Sequence, residues 1–285
     1  RHLLAAGDLG PARTAALAAA GDAVSHHERA DHLLVAARAS EAGDPFILEA
    51  VDALLRVARV MDARDLVLGF RPETSDDALR RDVLDAQTAY WTADFASVGP
   101  ALEAAANRID ADEVPPDVEV VYRTMRARYF ARVAWDPAAA IAEAERGYAL
   151  ALANDLPVAD VLATLGSAAV VVGHPEWREW LERAVAAAES EELPAIGFVA
   201  ADTLFMGELT RGDPQHCLAI ADRTIAAARA AGATATVAQF RKNRILALGL
   251  VHGDSSALVG EARDILRMKI NPRVREHAES QLVVA

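Results

Sequence analysis

Two groups of arginine, tyrosine and amide side chains have the strongest potential for binding chemistry in this sequence. A guanidinium group is a planar fork of donors that pairs with carboxylate or phosphate, and tyrosine adds rigid contact area. The first group is Tyr122, Arg123, Arg126, Tyr129 and Arg132, and the second is Gln239, Arg241, Asn243 and Arg244. The predicted ligand- or partner-binding residues are Tyr122, Arg123, Arg126, Tyr129, Gln239, Asn243 and Arg244. The alternative is that these arginines form ion pairs with carboxylates such as Glu119 and Glu143.

A histidine cluster near the start of the chain is the first candidate for metal binding. It consists of His26, His27, Glu28 and His32. Ligands on one helix converge at a spacing of three or four residues, whereas His27 and His32 are five apart. We therefore predict an ordinary solvated helix face here and no metal site.

Two acidic clusters, at residues 76–77 and 110–113, have side chains suited to acid–base catalysis or to binding Mg²⁺. Both lie beside predicted helix starts, where the helix dipole favours negative charge without any ligand. The sequence has no Asp-Asp-x-x-Asp pattern of the terpene-synthase type. We predict no catalytic residue, no cofactor and no enzymatic activity, since a helical enzyme would need a closed cavity with convergent carboxylates.

Two of the tryptophans and the single cysteine are predicted to be core residues. Trp177 and Trp180 share helical spacing with Leu181, whereas the sequence leaves the role of Trp91 open. Cys217 lies on an apolar face, which favours a buried, inert thiol. A chain with one cysteine cannot form an internal disulfide and offers no cysteine-based metal site, so a reducing, cytoplasmic setting is expected.

The composition of the 285-residue chain favours closely packed helices. Hydrophobic residues make up 53% and aromatic residues only 5%, so the apolar content comes mainly from Ala, Leu and Val. The formal net charge of -13 repels phosphate backbones and anionic membrane surfaces, so no direct binding to nucleic acid or membrane is expected. The most apolar stretch, Val161 to Gly173, is shorter than the roughly 20 residues of a membrane span, which predicts a soluble protein.

A recurring turn divides the chain into repeats. Glycine supplies the left-handed residue that ends one helix, aspartate caps the next helix, and proline fits its first turn. Successive aspartates are 36 residues apart from Asp8 to Asp44 and 50 apart from Asp44 to Asp94. Such a period fits two helices and two loops, and it predicts an all-α fold, an α–α superhelix or helical solenoid of about seven antiparallel helix pairs. The turns are Gly7-Asp8, Gly43-Asp44-Pro45, Ala93-Asp94, Trp135-Asp136-Pro137, Gly173-His174-Pro175, Gly212-Asp213-Pro214 and Gly253-Asp254.

The 50-residue interval is predicted to contain an extra short helix or a longer loop. Residues 68–72 have the composition of a loop, and residues 73–77 that of a helix start. A second break, at residues 114–117, precedes another helix. Neither break is long enough to be a flexible linker, so a single domain, 1–285, is predicted.

Small residues inside the predicted helices indicate close helix packing. Gly166, Gly197 and Gly207 lie in segments that are apolar on more than one side. A glycine inside a helix costs roughly 0.5 to 1 kcal/mol relative to alanine. We therefore predict that neighbouring helices approach closely at these positions.

Several segments resemble the tetratricopeptide-like region of large ATP-binding LuxR-type transcriptional regulators, the maltose-regulator-like group. Residues 1–8 (RHLLAAGD) are similar to the opening of that region, and residues 212–232 (GDPQHCLAIADRTIAAARAAG) resemble its second repeat helix. Leu165-Gly166 followed by Gly173 matches the general tetratricopeptide spacing. Arg178 and Glu182 depart from the pattern, since a small and an aromatic residue are usual at those places.

The resemblance implies an upstream nucleotide-binding switch domain, a helical arm and a C-terminal helix-turn-helix domain. No G-x-x-x-x-G-K-[ST] motif is present, so this chain is expected to be a fragment of a longer regulator that lacks the ATPase and DNA-binding domains. The first functional hypothesis is a cytoplasmic, non-catalytic sensor or scaffold arm that binds a protein, peptide or small-molecule effector on its concave face. The alternative is a free-standing protein–protein interaction module with the same fold.

Overall fold

The structure is a computed structural model that describes residues 7–109, 114–252 and 255–267. Within these ranges the chain forms fourteen α-helices and one π-helical turn, and no strand. The all-α, tetratricopeptide-like fold class of about seven helix pairs is therefore confirmed. The helices fall into two compact units that divide between Leu156 and Pro157, and the single domain at 1–285 stays a prediction.

The first unit contains eight helices in its described residues. They are α1 (Leu9–Gly21), α2 (His26–Arg38), α3 (Phe46–Arg56), α4 (Val60–Gly69), α5 (Ser75–Trp91), α6 (Phe95–Ile109), α7 (Pro116–Tyr129) and α8 (Pro137–Ala153), with the π-helical turn at Phe130–Ala134 between α7 and α8. Each helix packs on the next one along the chain. Because the connections are short, consecutive helices are antiparallel.

The second unit contains six helices in its described residues. They are α9 (Ala159–Val172), α10 (Trp177–Ser190), α11 (Pro194–Arg211), α12 (Pro214–Ala230), α13 (Thr234–His252) and α14 (Ser255–Leu266). Consecutive helices again pack on each other. In the described ranges of both units, no helix combines the length and the apolar character required to cross a bilayer.

Alternate helices share a layer in each unit. In the first unit α5 contacts both α3 and α7, and in the second unit α11 contacts both α9 and α13. The two predicted binding groups lie on α7 and α13, which belong to these layers.

Left-handed residues end the helices at most of the predicted turns. Gly173 and Gly212 have φ of 67° and 81°, and the non-glycine residues Ala93 and Trp135 take the same conformation at 60° and 55°. Gly43 is different because it does not have a positive φ, so the prediction of a left-handed residue there is wrong. The predicted turn at residues 253–254 lies outside the described residues.

The nearest contact of Gly43 from another segment is a flexible side chain. A Cβ at this position would lie 2.5 Å from Oε1 of Glu73, the end of an exposed side chain in the loop after α4. Because that side chain can move aside, neither the dihedral angles of Gly43 nor this contact requires glycine at position 43.

Side-chain caps begin several helices as predicted. Asp136 and Asp213 each accept a hydrogen bond of 3.0 Å from the backbone N–H three residues later, and Thr74 accepts one of 3.1 Å from Asp77. Asp44 accepts from the N–H of Phe46. These caps satisfy donors at helix starts that have no partner within the helix.

Both predicted breaks in the repeat are confirmed. The 50-residue interval contains α4 as an extra short helix, and the cap at Thr74 starts α5. Pro116 begins α7, with Pro115 immediately before it. The acidic cluster at residues 110–113 lies outside the described residues. The same holds for residues 1–6, which are part of the segment that resembles the regulator family.

Glycines inside α9 and α11 allow the close helix packing that the sequence predicts. A Cβ on Gly166 would lie 2.6 Å from Cγ of Leu181, and a Cβ on Gly207 would lie 2.6 Å from the ring of Trp177. At Gly197 the nearest atom would be 3.2 Å away. Leu181 and Trp177 are both on α10, so this helix lies against the backbones of its two neighbours.

Replacing Gly207 with alanine is expected to destabilise the protein by about 1–3 kcal/mol, because the new methyl group would overlap the Trp177 ring. The free energy of unfolding, measured in urea by circular dichroism, checks this. Gly10→Ala is the control, since a Cβ at this helical glycine meets nothing within 4 Å and should stabilise by roughly 0.5–1 kcal/mol. Equal effects of the two substitutions would contradict the close approach.

Candidate functional site

The first predicted binding group surrounds a buried carboxylate. Glu143 on α8 lies 3.2 Å from Arg123, 3.7 Å from Arg126 and 3.0 Å from Arg146. Arg123 also donates from Nε to Glu119, one turn earlier on α7, at 2.7 Å. The alternative from the sequence, that these arginines pair with Glu119 and Glu143, is confirmed.

The tyrosines of this group pack inside the unit. Tyr122 is 2% exposed, and burial raises the pKa of its hydroxyl. Its ring and that of Phe130 lie 5.6 and 5.5 Å from the guanidinium carbon of Arg126, so two aromatic faces support this cation. Tyr129 packs against α6, where a Cβ on Gly99 would lie 3.3 Å from its hydroxyl.

The second predicted group divides between two directions. Asn243 is buried, and its side chain donates a hydrogen bond of 2.7 Å to Asp202 of α11. Gln239 donates to the side-chain oxygen of Asn243 at 3.4 Å. Arg244 instead donates to Asp222 of α12, and Arg241 pairs with Asp264 of α14. The two amide side chains therefore make their contacts within the α9–α11–α13 layer, whereas the two arginines connect α13 to α12 and α14.

One side of this layer carries exposed apolar side chains beside ordered polar groups. Val199 and Met206 of α11 are exposed at helical spacing, with Asp202 and Thr203 between them. Thr203 lies 3.4 Å from Ser167 of α9 through their hydroxyls. We call this surface the α9–α11–α13 face. Its exposed or half-buried residues are Ser167, Val171, Val199, Asp202, Thr203, Met206 and Gln239, and the buried Asn243 holds Asp202.

The histidine cluster is a solvated helix start, as predicted. Ser25 accepts from the N–H of Glu28 at 3.1 Å, and the Glu28 carboxylate accepts from the N–H of Val24 at 3.2 Å. The pair is similar to a capping box, except that Glu28 accepts from the residue before the N-cap Ser25. His26 and His27 are exposed in that turn.

A buried ion pair between α10 and α11 is the polar contact that sequence reasoning missed. Glu208 is 0% exposed, and Arg178 donates to its two oxygens at 2.5 and 2.6 Å. These hydrogen bonds raise the pKa of Arg178. Two sequence features indicated the pair: Arg178 departs from the repeat pattern, and Glu208 interrupts an apolar helix.

The same carboxylate belongs to a group with metal-ligand chemistry. In the described part of the chain, Glu208, Asp213 and His216 bring ligand atoms within 4.8 Å of one another. Arg178 already binds both oxygens of Glu208, and Asp213 caps α12 through the N–H of His216. These contacts account for the arrangement without a cation, since the guanidinium balances the buried charge.

The predicted core residues are confirmed. Trp177, Trp180 and Cys217 are buried. Burial, with the nearby charges of Glu208 and Asp213, raises the pKa of the Cys217 thiol to about 11, so it stays protonated at neutral pH. Trp91, whose role the sequence leaves open, is half-buried beneath the guanidinium of Arg128 at 4.9 Å.

In the described residues, α-helices that pack on their neighbours along the chain, with alternate helices also in contact, form an all-α helical repeat. No family model matches the sequence, and no curated protein matches it. Among solved structures, the crystal structure of the P58(IPK) TPR domain matches at 13% identity, covering 99% of this chain and 95% of that chain, with a TM-score of 0.25. The fold class therefore rests on the helices and their packing described above.

Replacing Arg178 with alanine is expected to cost about 1.5–3 kcal/mol of unfolding free energy, because it leaves Glu208 buried without its cation. Chemical denaturation measures this change. Arg267→Ala in the same unit is the control, since its pair with Asp264 is exposed and should contribute under about 0.5 kcal/mol. A loss as small for Arg178 as for Arg267 would show that the buried pair does not stabilise the fold.

Proposed function

We propose that this chain is a non-catalytic protein-binding repeat, and that its α9–α11–α13 face receives a segment of a partner protein. The observation that carries the proposal is the pair of exposed apolar side chains, Val199 and Met206, beside a carboxylate held in place by a buried amide. Apolar anchors flanked by ordered polar groups are the usual basis of protein recognition.

The polar groups of the face favour a partner that provides hydrogen-bond donors. The bond from Asn243 uses one oxygen of Asp202, and a carboxylate accepts at both oxygens. Gln239 donates to Asn243 through its amide nitrogen, which directs its carbonyl to another donor. A segment with apolar side chains next to a lysine, an arginine or backbone N–H groups fits this surface.

The finer proposal is that the repeat is the sensor or scaffold arm of a LuxR-type transcriptional regulator in the cytoplasm. It is supported by the resemblance of residues 1–8 and 212–232 to that group. The partner would then be a protein, a peptide, a small-molecule effector or the nucleotide-binding domain of the same polypeptide. Binding would bias an equilibrium between two states of the regulator.

The reading frame around this sequence discriminates between the two forms of the proposal. A regulator arm requires a phosphate-binding G-x-x-x-x-G-K-[ST] loop upstream and a helix-turn-helix segment downstream. Sequencing the complete frame and finding neither would reject the regulator. A free-standing interaction module would then be the remaining form.

The binding face is tested with peptides selected from a random library on the wild-type protein. We expect the selected peptides to combine apolar and basic residues. Val199→Asp with Met206→Asp should weaken their binding about tenfold or more, because a loss of 1.4 kcal/mol corresponds to that factor. Fluorescence anisotropy of a labelled peptide measures the affinity.

A matched control separates this face from general surface effects. Val24 and Met61 are exposed in the first unit, so Val24→Asp with Met61→Asp adds the same two charges elsewhere and should leave peptide affinity within about twofold. Equal affinity of the wild type and the doubly substituted face would reject the α9–α11–α13 face as the binding surface.

A further inference from the structure

The α7–α8 hairpin has two guanidinium groups that approach one carboxylate oxygen. Nη1 of Arg146 lies 3.0 Å, and Nη1 of Arg126 lies 3.7 Å, from Oε1 of Glu143. These two nitrogens are therefore at most about 6.7 Å apart, the sum of the two distances, and one oxyanion can bridge them with hydrogen bonds of about 2.8 Å to each. The hairpin thus has the spacing required to bind an oxyanion from two sides.

The charges of the hairpin leave a positive excess at this point. Arg123 binds both carboxylates of the cluster, Glu119 at 2.7 Å and Glu143 at 3.2 Å. Three guanidinium groups therefore face two carboxylates. Arg123, Arg126 and Arg146 all pair with Glu143, and Arg123 also pairs with Glu119, so these five groups together carry one positive charge in excess.

The two arginines differ in how they are held and exposed. The aromatic rings of Tyr122 and Phe130 fix the guanidinium of Arg126, whose side chain is 35% exposed. The side chain of Arg146 is 65% exposed. A guanidinium has five N–H donors, so the contact that each makes with Glu143 leaves donors for a further acceptor. Because Arg126 is already held in place, less side-chain entropy is lost when an anion binds, and Arg146 is accessible to that anion.

We propose that Arg126 and Arg146 form an oxyanion-binding site for the carboxylate of an acidic side chain or for a phosphate group. Glu143 is buried, so it orients the two guanidinium groups from below while an incoming anion approaches from the solvent side. The overall charge of -13 disfavours a polyanion such as nucleic acid and favours a ligand with few negative charges. This site lies in the first unit and is independent of the α9–α11–α13 face.

Isothermal titration calorimetry at low ionic strength, with inorganic phosphate and with a capped peptide that contains one glutamate among neutral residues as separate probes, tests the site. We expect at least one probe to bind the wild-type protein. Binding of phosphate alone would identify a phosphate ligand, and binding of the glutamate peptide alone would identify a carboxylate ligand. Failure of both probes to bind at millimolar concentration would overturn the proposal.

Substitutions localise the binding. Arg126→Gln with Arg146→Gln removes two charge-assisted contacts and should lower the affinity for the probe about tenfold or more. Arg146→Gln alone removes one contact and should lower the affinity about threefold. The single substitution changes an exposed residue and keeps the test valid if the double variant unfolds in a thermal melt. Unchanged affinity in both variants would place the anion elsewhere.

Two controls complete the design. Arg267→Gln removes one positive charge from a side chain that is 79% exposed on the second unit, and it should change affinity by less than about twofold. The variant with Val199→Asp and Met206→Asp should keep its affinity for the anion. The proposal of the oxyanion site and the proposal of the peptide-binding face can therefore be rejected independently.

Discussion

The distance between neighbouring helices is the constraint on which the rest of this structure depends. Gly166 and Gly207 bring the backbones of α9 and α11 against Leu181 and Trp177 of α10, at separations that a Cβ would not allow. The large side chains of α10 fit because the residues that face them on α9 and α11 are glycines. The low aromatic content and the abundance of alanine follow from this, since most contacts between helices must be made by small residues.

Thin layers of helices also explain why charged groups are buried between them. A two-layer repeat has little apolar depth, so the side chains of Glu143 and Glu208 reach the boundary between helices and meet arginines from the adjacent helix. Removing either partner would leave a charge in a poorly solvated place, whereas the intact pair requires one specific alignment of the two helices. These pairs therefore define the register between neighbours more than they add to stability.

Local features of the sequence predicted the helices and most of the turns between them. A cap such as Thr74 or Asp136, and a left-handed glycine such as Gly212, act within a few residues, so their effects can be derived from the chain alone. Left-handed residues such as Ala58 and Glu192 were missed, because neither residue type favours that conformation. Their backbone angles follow from the helices that they connect.

The roles of the predicted binding residues were harder to derive because they depend on how each helix is rotated. The pairing of Arg123 and Arg126 with Glu143 of α8 was only one of two alternatives from the sequence, because spacing does not fix which side of α7 meets α8. Arg146, which completes the oxyanion arrangement, lies on the facing helix, twenty residues after Arg126 in the sequence. Contacts of this kind belong to the packing of two elements and have no local signature.

Trp135 stands out among the turn residues because it is bulky, left-handed and 75% exposed, whereas Trp177 and Trp180 are buried. The exposed indole belongs to the first unit and the buried pair to the second. Trp91, the fourth tryptophan, is half-buried in the first unit, so a Trp91→Phe variant leaves a spectrally distinct reporter in each half. Its emission at the red edge comes from a ring already in water, and its emission at the blue edge comes from rings that reach water only when α10 separates from its neighbours. Fluorescence of this variant can therefore follow the opening of the second half without any added label.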